Sequence, residues 1–142
     1  MRQHTDSVCR ASFPELRRAS SIRPYLSQSA TARLVEAMII SRLDYCNSVF
    51  AGLPADRVAR LQRIQNKAAR LVMKKRKGDL VTSLLKELHW SPVKFRCQYN
   101  IATLAHRHFE GSLPPYPSSS HCTYEPSRSL RSSKEKLLKI PK

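Results

Sequence analysis

Through the first 110 positions apolar side chains recur at three- and four-residue spacing, the period of an α-helix that buries one face. No stretch alternates apolar and polar in the manner of a strand. The pattern predicts a first helix over roughly 4–20, which contains Val8, Phe13, Leu16 and Ala19. Pro14 falls in its middle, removes an amide donor and crowds the preceding turn, so a kink or restart is expected there. A connector over 22–26 leads to Ser27, a suitable N-cap. A second helix is expected over roughly 28–50. Leu34, Val35, Met38, Ile39, Leu43, Tyr45, Cys46, Val49 and Phe50 share one half of its wheel. Arg42 alone among the cations projects into that arc, either snorkelling its head to solvent over a buried stem or entering an internal ion pair or ligand contact. Ala51-Gly52 is the expected C-cap.

Pro54 suits the first position of a third helix, where a missing amide costs nothing. This helix is expected to run to Val72 or Lys75. Val58, Leu61, Ile64, Ala68, Leu71 and Val72 form its apolar arc, and Gln62, Gln65, Asn66 and Ala69 lie outside it. After a turn at Gly78-Asp79, Thr82 or Ser83 is placed to cap a short helix with Leu84, Leu85 and Leu88 inward. Residues 89–92 break that helix, and Trp90 is expected as a core anchor between two helices. A fifth helix is predicted from about Pro92 to Phe109, with Val93, Phe95, Cys97, Tyr99, Ile101, Leu104 and Ala105 as its apolar positions. The expected fold is therefore all-α, a bundle of about four to five helices over 1–110. Residues 111–142, with Pro114-Pro115-Tyr116-Pro117 and Ser118-Ser119-Ser120, read as an irregular, flexible Pro/Ser-rich basic tail.

Charge changes this picture most. The 142 residues carry 26 Lys and Arg against 10 Asp and Glu, a formal net charge of +16, which favours polyanionic partners. The cations concentrate on the third helix. Arg60, Arg63, Lys67, Arg70 and Lys74 share an arc roughly 120° from the apolar one, and Lys74-Lys75-Arg76-Lys77 follows at the end that suits positive charge. Five cations over about 21 Å of helix axis can neutralise several phosphates at once and release their counterions. No aromatic residue interrupts the basic stretch, so backbone contacts to a duplex are expected in preference to stacking on single-stranded bases.

Other chemistry is sparse. No two acidic residues lie closer than eight positions, which leaves no local carboxylate pair. The cysteines, Cys9, Cys46, Cys97 and Cys122, lack CxxC spacing, and no zinc-type His pair accompanies them. No nucleophile elbow, zincin or phosphate-loop motif occurs. The expectation is a noncatalytic chain with no metal and no cofactor. Without an apolar leader or a run of about 18 apolar residues, an intracellular, nuclear or cytoplasmic location off the membrane is expected, with reduced thiols.

An ordered set of strings resembles the region just after the catalytic palm in reverse transcriptases of LINE-type (non-LTR) retrotransposons, particularly the jockey and chicken-repeat groups. The strings are Ile22-Arg23-Pro24-Tyr25-Leu26-Ser27, Ser41-Arg42-Leu43-Asp44-Tyr45-Cys46-Asn47-Ser48 and Ala51-Gly52-Leu53-Pro54. Leu61-Gln62-Arg63-Ile64-Gln65-Asn66-Lys67-Ala68-Ala69-Arg70-Leu71-Val72 and Leu88-His89-Trp90-Ser91-Pro92-Val93 follow. Pro114-Pro115-Tyr116 and Ser127-Arg128-Ser129-Leu130-Arg131-Ser132-Ser133 complete the set. The resemblance implies a helical thumb and the segment after it, which in that family grips the template–primer duplex. The palm's (Phe or Tyr)-x-Asp-Asp motif is missing, since no Asp-Asp pair occurs, and an endonuclease domain is missing too. It therefore implies duplex gripping without polymerisation. The rival expectations are a helical protein-interaction module, docking its lost palm or a second copy of itself, and an inert translated remnant.

Overall fold

The computed structural model describes residues 2–45, 47, 52–112 and 128. Every element among them is helical. Helix α1 spans Arg2–Ile22 and is followed by a 3-10 turn, Arg23–Tyr25. Helix α2 has three parts: α-helical Gln28–Val35, a π turn over Glu36–Ile40, and a last α-helical turn, Ser41–Asp44. Helix α3 spans Ala55–Val72, α4 Val81–Glu87 and α5 Val93–Phe109. Two compact units divide the chain, Met1–Tyr99 and Asn100–Lys142. The expected tail over 111–142 lies outside the described residues except for Gly111, Ser112 and Arg128. So do Cys46, Val49, Phe50, Ala51 and Cys122.

In the first unit α3 is the central element and packs against α1, α2 and α4. Leu61, Ile64, Ala68 and Val72 are buried, and so are Gln65 and Ala69, which the helical wheel had left outside the apolar arc. With neighbours on three sides, a single stripe is too narrow to cover the helix. Trp90 is buried, as expected of a core anchor, and donates from Nε1 to Glu36 Oε1 at 3.1 Å.

Helix α1 runs through Pro14 as one helix, so of the kink or restart expected there the restart does not occur. Val8, Leu16 and Ala19 are buried on both sides of the proline and hold the helix to the core, while Pro14 and Arg10 face solvent. Water can meet the Arg10 carbonyl that loses its amide donor.

Ser27 caps α2 as expected, its side chain accepting from the Ala30 amide at 3.2 Å. The π turn is the departure. An i→i+5 turn takes up one extra residue, so burial falls on Thr31, Val35, Ile39, Ile40, Leu43 and Asn47. A regular helix would place Arg42 with Val35 and Ile39; the π turn rotates it out, and Arg42 is exposed. The regular helical part ends at Asp44, before the predicted Ala51-Gly52 cap. Tyr45 leaves helical ψ and stands 69% exposed, outside the core to which the wheel assigned it.

Helix α4 begins one residue before the expected caps, with Leu80 as N-cap and Ser83 Oγ donating to the Leu80 carbonyl. Only Val93 and Cys97 of α5 are buried. Phe95 and Tyr99 are exposed, against expectation, as are Ile101 and Leu104 in the second unit. Within that second unit α5 closes with Gly111 at φ 70°, the Ser112 amide donating to the Arg107 carbonyl at 3.0 Å. His106 Nδ1 lies 3.3 Å from Glu110 Oε2.

Polar side chains fix the α4–α5 connection. Gln65 Nε2 donates to the Ser91 carbonyl at 2.9 Å, and Gln62 Oε1 accepts from the Val93 amide at 2.9 Å, meeting an otherwise orphaned donor of the first turn of α5. Gln62 Nε2 in turn donates to Gln65 Oε1 and Asn66 Oδ1.

Candidate functional site

Helices α1 and α3 pack along each other and leave an open groove of about 720 Å³ on one side. Arg63, Asn66, Lys67, Arg70 and Leu71 line it from α3, Phe13, Leu16, Arg17 and Ser20 from α1, and Arg23, Lys74, Lys75 and Lys77 at its far end. Eight of these are cationic (Arg17, Arg23, Arg63, Lys67, Arg70, Lys74, Lys75 and Lys77) and none is acidic. A second cavity of about 410 Å³ shares Phe13, Arg63 and Lys67 with it and adds Cys9 and Arg60.

The predicted cations fare differently. Arg63 and Lys67 are exposed, and Lys67 Nζ lies 4.7 Å from the centroid of the Phe13 ring. Arg70 donates to the Asp79 carbonyl at 3.4 Å, while its buried Nε has no acceptor among the described residues. Arg60 is already balanced: Asp6 Oδ1 takes it at 3.2 Å and Arg57 at 2.9 Å. Helix α3 stops at Val72, one of the two expected ends, and the four-cation run follows just past it. Lys74 adopts φ 52° and the Lys75 amide donates back to the Arg70 carbonyl at 2.9 Å, a Schellman ending with lysine where glycine is usual. Lys74, Lys75 and Lys77 thus turn along the groove. Arg76 does not line it; its amide donates to Asp79 Oδ2 at 2.6 Å.

Arg17, Arg23 and Phe13 belong to the groove although the sequence pattern did not mark them as site residues. Arg23 is the structural one. Only 7% exposed, it donates to the carbonyls of Leu71 (3.1 Å), Val72 (2.9 Å) and Leu26 (2.8 Å). Its guanidinium caps the negative end of α3. Phe13, one of the apolar residues of α1, is 37% exposed and forms part of the groove wall.

Cys9 is half-buried beside this site and Cys97 is buried, both as free thiols. Burial pushes both thiols up. Asp6 adds to the shift at Cys9, against the opposing pull of Arg60, Arg63 and Arg57, and Asp44 adds to it at Cys97 against a backbone hydrogen bond. Among the described residues no three His, Cys, Asp or Glu side chains converge as a metal site, and no helix is long and apolar enough to cross a membrane. No family model, curated protein or solved structure matches the chain.

Proposed function

We propose that this chain is a noncatalytic, thumb-like fragment of a LINE-type reverse transcriptase, and that its α1–α3 groove holds the sugar–phosphate backbone of nucleic acid without sequence preference. The observation that carries this is the acid-free lining with its eight cations. Charge of one sign along a trough raises local phosphate concentration and neutralises the backbone with counterion release. The proposed family rests on the ordered sequence strings, and no polymerase step is assigned to these residues because they contain no Asp-Asp pair.

The test is a salt titration of duplex binding. Neutralising about five phosphates gives a log–log slope of about −4.5. Changing Arg60, Arg63, Lys67, Arg70 and Lys74 together to Gln is expected to flatten the slope and weaken binding, with helicity by circular dichroism as the folding control. A flat response in the unmodified protein refutes the proposal.

A protein-interaction module is the second reading, favoured by Phe95 and Tyr99, which stand 58% and 71% exposed one turn apart on α5. Sedimentation analysis decides it: concentration-dependent association abolished by Phe95→Ser and Tyr99→Ser supports it, and an invariant monomer counts against self-association.

A further inference from the structure

We propose that Phe13 is a stacking platform for an unpaired base, so that the groove takes a single-stranded segment of the bound nucleic acid as well as its phosphates. This rests on the groove being a nucleic-acid site and adds what kind of strand enters it. Three observations converge. Phe13 is an exposed aromatic in a wall otherwise dominated by cations, and it lines both cavities. The two cavities, about 720 and 410 Å³, have the scale of sites that enclose small-molecule-sized groups.

The third observation is the position of Lys67, whose ammonium rests 4.7 Å from the ring centroid. A cation over an aromatic face is held by the ring's quadrupole. It marks that face as open to a planar or cationic partner and leaves a charge beside it. In the bound state Lys67 moves from the ring to a phosphate, and the base takes the vacated face. Arg63 on the same wall meets the neighbouring phosphate. Aromatic stacking tolerates any base, which agrees with a site that carries cations and few groups for reading base edges.

The experiment compares oligothymidylate with an abasic deoxyribose-phosphate oligomer of equal length at one salt concentration. The unmodified protein is expected to prefer oligothymidylate by about tenfold, in the range of one stacked base. Phe13→Leu should abolish that preference, while Phe13→Tyr keeps it. Lys67→Gln should weaken both ligands. Equal binding of the two oligomers by the unmodified protein, or a preference that survives Phe13→Leu, overturns the stacking site and leaves the backbone groove standing. Failure to bind either oligomer or a duplex overturns both.

Discussion

Replacing Arg23 tests how the end of α3 is held. Its guanidinium makes three hydrogen bonds to carbonyls, two of them in the last turn of α3, where the carbonyls lack amide partners within the helix. Arg23→Met keeps the bulk of the stem and removes every donor. Bonds to a charged group contribute about 1.5–3 kcal/mol each, but the carbonyls can recover water and an arginine loses rotamer freedom on burial, so the sum overshoots. We expect a loss of about 3 kcal/mol, a large share of the 5–15 kcal/mol that holds a typical domain. Urea unfolding followed by fluorescence of the buried Trp90 reads it as a fall in midpoint of about 1–3 M. Arg23→Lys should recover part of the loss, since an ammonium cannot span three carbonyls with a planar fork. Exposed Arg10→Met, the control, should stay within about 0.5 kcal/mol. A loss below about 1 kcal/mol for Arg23→Met would refute the capping role.

Lys74→Gly should stabilise the chain by about 1 kcal/mol, because a left-handed φ strains any residue with a Cβ and Lys74 sits at φ 52°; thermal unfolding measures it, and a drop in melting temperature would contradict the Schellman ending. Gln65→Leu should cost about 1–3 kcal/mol despite its greater apolarity, since it strands the Ser91 carbonyl; equilibrium unfolding that finds it neutral would show the polar clamp to be dispensable. Because burial raises the Cys9 and Cys97 thiols, the folded chain keeps protons that the unfolded chain has already lost once pH passes the ordinary thiol value. Stability is therefore full below about pH 8.5 and falls as pH climbs through the raised values. The fall above about pH 8.5 should be shallower in a Cys9→Ser, Cys97→Ala double variant.

The helical class was legible because the apolar spacing is a local property, and α3 shows how far that reaches: the wheel found Leu61, Ile64, Ala68 and Val72. It missed Gln65 and Ala69 because the number of neighbours around a helix is not written in its own period. Pro14 does not restart the helix for the same reason, tertiary burial on both sides overriding a local breaker. The α3 cations stood out as a charge pattern. Arg17, Arg23 and Phe13 reach the groove from α1 and the turn after it, some 40 to 50 positions away in the chain, and no spacing rule links them to α3. Arg60 looked equal to its neighbours until Asp6, equally distant in sequence, came to lie beside it.

The π turn in α2 has a consequence for chain length. Removing the exposed Ala37 would draw Thr31, Val35, Ile39, Ile40, Leu43 and Asn47 into the three- and four-residue intervals of an ordinary helix, with every buried side chain still facing inward. A single deletion in the middle of a helix usually throws everything beyond it out of register. Here the bulge would absorb it, as if the segment carried one residue more than its fold requires. This part of the chain can therefore shorten by one codon and keep its core.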